Sequence, residues 1–153
     1  MIFLTSFQKA RRFPGRKYSV ARTKPMGCAY EDLEFFAATG RRREPLSLYR
    51  FKQNPLQEFE QELCNGYGER LEEIQRFLAL ITDSEDIVLA CWCPFSKDTM
   101  KQLEKRGMFA CHTGIIGKVI NTIRPDLEIV MDHDRSEHLV PQWRPKLFTT
   151  IRI

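Results

Sequence analysis

A chain of 153 residues is one domain of ordinary size, long enough to bury most of its apolar surface without a metal or disulfide staple. Hydrophobic residues at 42% and charged residues at 29% match a soluble globular protein, and no apolar run nears the roughly 20 residues that cross a bilayer, so no membrane partner is expected. The net charge of +4 hides an imbalance, because residues 1–53 carry 12 Lys/Arg against 4 Asp/Glu while the remainder is acidic.

In chain order, Ile2-Phe-Leu-Thr-Ser-Phe7 reads as a first strand and not as a signal peptide, which places the chain in the cytoplasm as an expectation. Phe13-Pro-Gly15 predicts a turn, and Tyr18-Ser-Val-Ala-Arg22 a second strand, joined to the first as a hairpin or by an irregular basic loop. Glu31 to Ala38 predicts a short helix stopped by Gly40, and Arg41 to Asn54 a long surface loop. From Pro55, Leu56, Phe59 and Leu63 share a helical face that ends at Asn65-Gly66; Leu71, Ile74, Phe77, Leu78 and Ile81 then repeat at helical spacing.

Ile87-Val-Leu-Ala-Cys-Trp-Cys93 is a nearly unbroken apolar run, the profile of a central parallel strand buried on both faces. A charged helix over 96–106 follows, then Cys111-His112-Thr113-Gly114 at the start of a buried helix carrying Ile115, Ile116, Val119, Ile120 and Ile123. Leu127 to Met131 is a last strand. Together these predict an α/β fold with a small, open, mostly parallel sheet flanked by helices, Rossmann-like and three-layered. Residues 1–131 form the domain, and 132–153 a tail or edge element that includes the strand-like Leu147 to Ile153. His133 and His138, among acidic neighbours, are expected in solvent.

Five cysteines cannot all pair, and in a reducing compartment they remain thiols. Cys28 and Cys64 read as small buried apolar side chains. Cys91 and Cys93 stand at a strand end and Cys111-His112 at a helix start, the end of an open parallel sheet where ligands bind and helix N–H groups favour an anion. There a Cys111 thiolate would act as nucleophile, with His112 as general base or stabilising cation. Cys91, Cys93, Cys111 and His112 are also zinc-ligand types, but Cys-x-Cys and adjacent Cys-His are tighter than the usual gaps of about two to four residues, so no cofactor is predicted. A plainer alternative puts Cys91 and Cys93 in the core, leaves His112 as a helix cap, and gives Trp92 a packing role.

Residues 2–7, Ser19 to Arg22, the helical pattern from Phe59 to Leu78 with Tyr67, and an apolar strand ending in Cys before Cys111-His112 together resemble the domain-of-unknown-function family 488 over roughly residues 1–131. The resemblance implies a compact α/β protein. In it Arg22, a strand-end thiol (Cys91 or Cys93) and the Cys111-His112 pair share a cleft, and no activity is implied. Thr113 stands where the family pattern has Arg, which marks a divergent member and removes a positive charge unless Lys118 or Arg22 substitutes.

The functional expectation is a ligand-binding domain acting on a nucleotide or nucleic-acid component, catalytic if Cys111 and His112 react. Ser6, Arg22, Cys91, Cys93, Thr113 and Gly114 would line the ligand, and the basic N-terminal third would meet its phosphate. The alternative is a non-catalytic interaction protein of phage or mobile-element type, binding nucleic acid or a host protein through residues 9–24 and 41–52.

Overall fold

A computed structural model describes residues 1–46, 55–92, 112–131 and 138–139. Its sheet contains β1 (Ile2–Ser6), β2 (Arg16–Ser19), β3 (Glu31–Asp32), β4 (Ile87–Cys91), β5 (Ile129–Met131) and β6 (His138–Leu139), in the order β3-β2-β4-β1-β5-β6. The first five run parallel, and β6 closes the β5 edge antiparallel. This is the small, open, mostly parallel sheet expected of the chain. Every residue of β4 is buried, which accounts for its unbroken apolar sequence: a strand between two neighbours and covered on both faces has no solvent side on which to place a polar residue.

The pleat sends Ile2, Leu4, Ile87, Leu89, Cys91 and Ile129 to one face, where they meet three helices. These are α1 (Pro55–Glu69), α2 (Leu71–Ala79) and α3 (His112–Ile123), contributing Leu63, Tyr67, Ile74, Leu78, Ile115, Ile116, Val119 and Ile120. Each such side chain, once fully buried, gains about 1.5–3 kcal/mol from leaving water. On the opposite face Val88 and Ala90 lie under Ala10, Phe13 and the half-buried rings of Phe3, Phe7 and Tyr30. Among the described residues, that third layer is the 3₁₀ turn Ala10–Arg12 and its aromatic neighbours.

Of the two connections expected between β1 and β2 the structure has the irregular basic one and not the hairpin, because β4 lies between them and pairs with both. Local structure departs from the sequence expectations in three places. Glu31 to Ala38 is not a helix. Leu33 N–H donates to Ser19 O and so continues the β2–β3 pairing, and a 3₁₀ turn, Glu34–Phe36, drops Phe36 into the core. Asn65-Gly66 does not end the first helix, which runs on to Glu69. Gly66 serves a close approach instead, since a Cβ there would sit 2.3 Å from Thr39 O. That loop is then locked by Arg70, which donates to the carbonyls of Phe35, Thr39 and Gly40, and by the Tyr67 hydroxyl, which donates to Phe36 O at 2.9 Å. Lastly, Lys118 is buried and its Nζ lies 3.3 Å from the equally buried Glu60 carboxylate between α3 and α1, so it cannot supply a charge at the start of α3. The helix expected over 96–106, the histidine at 133 and the strand expected over 147–153 fall outside the described residues.

Candidate functional site

After β1 the chain turns onto the thin-layer face as the 3₁₀ turn Ala10–Arg12, whereas after β4 the next described element, α3, packs on the helix face. In open α/β sheets ligands bind beyond the carboxyl ends of the parallel strands. At that end stand Ser6 and Phe7 of the β1 stretch and Cys91 and Trp92 of the β4 stretch, the Phe7 and Trp92 rings meeting edge-on with centroids 5.2 Å apart. Ser6 and Cys91 are register partners, and Phe7 N–H still donates to Cys91 O at 3.0 Å.

Buried polar groups gather at this end of the sheet. Thr5, Ser6 and Ser19 are at or near full burial on the strands, and His112 and Thr113 are buried in the first turn of α3. Beyond β2 the chain keeps its place through Val20 N–H to Ala90 O and through Ala21 N–H to Ser19 Oγ. His112 reaches across to this segment, with its Nε2 2.7 Å from Val20 O. A carbonyl only accepts, so Nε2 carries the hydrogen and donates, and the neutral ring bears its lone pair on Nδ1.

The ring is neutral because burial, opposed by the bond to Val20 and reinforced by the charge of Arg22, lowers the His112 pKa to about 4. This corrects one sequence expectation. At neutral pH His112 is an oriented imidazole and not a stabilising cation.

The other candidates divide. Ser6, Cys91, Thr113 and Gly114 are buried at the carboxyl edge, and Arg22 is exposed at the end of the β2 segment, close enough for its charge to act on His112. Arg22 also borders a cavity of about 290 Å³ shared with Asp32, Glu34, Thr39 and Arg43. Cys93 and Cys111 lie outside the described residues. Among the described residues, no group of three His, Cys, Asp or Glu side chains is placed to hold a metal. Cys64 is buried as expected, its thiol pushed up to about 12 mainly by that burial, whereas Cys28 is half-exposed.

The basic N-terminal third is partly spent on local ion pairs. Arg16 meets Glu31, Lys24 meets Asp32, and Arg43 meets Glu34 and Glu73. Arg11, Arg12 and Arg22 are exposed and make no ion pair among the described residues.

Sequence reasoning missed the aromatic side of this edge. Trp92 packs edge-on against Phe7, but it is 58% exposed and its Nε1 donates to Thr23 O at 2.7 Å. With Phe7 and Tyr30 it walls a cavity of about 410 Å³. The signal was an aromatic residue directly after each of the two central strands, Phe7 and Trp92. No helix among the described residues is long and apolar enough to cross a membrane. No family model, curated protein or solved structure matches the chain.

Proposed function

We propose that this domain binds a nucleotide or nucleic-acid component at the carboxyl edge of its sheet, with Arg22 and the exposed basic side chains of the N-terminal third meeting phosphate and Cys111 and His112 at the reacting end. The observation that supports this is the state of His112, a buried, neutral imidazole fixed by Val20 O at the first turn of α3, at the carboxyl end of the parallel strands. The ring is neutral and held in one orientation by the bond to Val20 O. With a pKa of about 4 it is a weak base at rest. A phosphate against Arg22 would cancel one of the two influences that hold that value down, so ligand binding itself would strengthen the base. On this reading, ligand binding precedes and enables removal of a proton from the Cys111 thiol or from the ligand.

The test is binding of nucleoside mono-, di- and triphosphates and short oligonucleotides by isothermal calorimetry. It compares the wild-type chain with Cys111→Ser and His112→Gln, alongside the pH dependence of thiol alkylation with and without ligand. The proposal expects a ligand whose binding His112→Gln weakens and whose presence raises Cys111 alkylation near neutral pH. Binding that neither substitution alters, together with Cys111 alkylation that neither His112→Gln nor the ligand changes, would sink it. Oligonucleotide affinity that falls steeply with salt, and equally in all three proteins, would assign instead the non-catalytic nucleic-acid surface of residues 9–24.

A further inference from the structure

The aromatic cavity lies on the thin-layer side of the same carboxyl edge and has features that its fold does not require. Phe7 follows β1, Trp92 follows β4, and Tyr30 immediately precedes β3, so three separate stretches of chain deliver three rings to one place. Phe7 and Trp92 meet edge-on with centroids 5.2 Å apart, and Phe7 and Tyr30 stack at 6.3 Å. The far wall is the turn Pro25 to Cys28, closed by Cys28 N–H to Pro25 O at 3.0 Å and made possible by Gly27 at φ +79°. That turn holds Met26 fully in solvent. Met26 and Trp92 are two of the three large apolar side chains left exposed among the described residues, and both border this cavity.

A tryptophan more than half exposed contributes little to the core, yet its indole N–H is committed to Thr23 O. Such a bond fixes the plane of the ring before anything binds, as a stacking platform requires. Arg11 adds a guanidinium at the rim that makes no ion pair among the described residues. At about 410 Å³ the cavity is within the range of small-ligand sites, roughly 300–1,000 Å³.

We infer that this cavity is the ring-binding subsite for a nucleotide, with the nucleobase stacked on Trp92, Tyr30 meeting it at an angle and a phosphate facing Arg11. The inference rests on the nucleotide reading above and adds to it where the base sits. A flat heteroaromatic ring suits walls made of π faces, and a purely aliphatic ligand would gain nothing from Arg11. Because every base has a π face, discrimination among bases should be weak and discrimination against a ligand lacking a base strong.

The experiment measures AMP, GMP, CMP, UMP, their parent nucleosides and ribose 5-phosphate by calorimetry on the wild-type chain and on Trp92→Ala, Trp92→Phe, Tyr30→Ala and Arg11→Gln. It also follows iodoacetamide labelling of Cys28, which borders the cavity, by peptide mass spectrometry with each ligand present. The expected result is that at least one nucleoside monophosphate binds roughly tenfold or more tightly than ribose 5-phosphate, and that Trp92→Ala loses a similar factor. Trp92→Phe retains most of the affinity, Arg11→Gln weakens the monophosphate more than the nucleoside, and the bound nucleotide protects Cys28. The labelling readout uses the wild-type chain, so it stands even if an aromatic substitution disturbs folding. If a nucleotide binds but the Trp92 and Tyr30 variants match wild type and Cys28 stays unprotected, this inference falls while the broader reading stands. If the wild-type chain binds no nucleotide, both fall.

Discussion

Acid should destabilise this protein through His112, by an amount that its surroundings set. In the folded chain the ring is 8% exposed, donates to Val20 O and takes up a proton only near pH 4; in the unfolded chain it titrates near its ordinary 6.5. Between those values the unfolded state holds a proton that the folded state refuses, so stability rises with pH across the window and is lost as pH falls through it. Above pH 6.5 both states are neutral and the group contributes no pH dependence. At about 1.36 kcal/mol per pH unit, the loss is about 2 kcal/mol at pH 5 and approaches about 3 kcal/mol near pH 4, a large part of a typical stability of about 5–15 kcal/mol. His112→Gln removes the titration while keeping an amide donor that can reach Val20 O. Urea unfolding of both proteins at half-unit steps from pH 7.5 to 4.5 isolates the effect, because every other titrating group is common to both. The difference curve should be level above pH 6.5 and then narrow or reverse in favour of the variant as pH falls. A flat difference down to pH 4.5 would show that His112 is neither buried nor neutral in the way described.

Two further substitutions probe the packing that holds the site. Lys118→Met should cost about 3–5 kcal/mol by leaving the Glu60 carboxylate buried and alone, and the double variant Lys118→Met with Glu60→Leu should recover most of that loss. Denaturant midpoints for the four proteins of the cycle measure it, and additive losses would contradict a direct pair. Gly66→Ala should destabilise by about 1–3 kcal/mol even though alanine is the better helix former, because the new Cβ meets the carbonyl of Thr39. A thermal melt at or above the wild-type midpoint would mean that the loop at residues 39–40 is not held against α1.

What could be read from the sequence followed from how local the signal was. β4 announced itself because a strand buried on both faces must be apolar throughout, and α3 because Ile115, Ile116, Val119 and Ile120 repeat at helical spacing. Glycine and proline signals served less well. Gly66 looked like a helix stop because the demand it meets, the close passage of the Thr39 backbone, comes from a segment distant in sequence. The short stretch after Glu31 had helical composition, but its pairing with β2 and the pull of Phe36 into the core outweighed propensity. The site shows the same division. His112 was visible as the first residue of a helix, but its neutrality depends on Val20 and Arg22, which only the assembled sheet brings near. Lys118 looked like an available charge because nothing in the sequence indicated Glu60 across the helix interface. The aromatic cavity left only a faint trace in the sequence, Phe7 and Trp92 each following a central strand, because its rings meet only once β1 and β4 are side by side.

The placement of β4 between β1 and β2 also has a kinetic side. The two N-terminal strands have no pairing with each other, and each bonds along its length to residues 87–91. Ribosomal synthesis delivers the chain from its N-terminus, so both strands emerge long before the segment that joins them, and the closing of those long loops is the slow, entropy-limited part of assembly. Until then the basic stretch between β1 and β2 has no sheet to lie on and stays accessible to chaperones, proteases and polyanions alike. The seating of residues 87–91 between β1 and β2 is the step that joins the two N-terminal strands into one sheet.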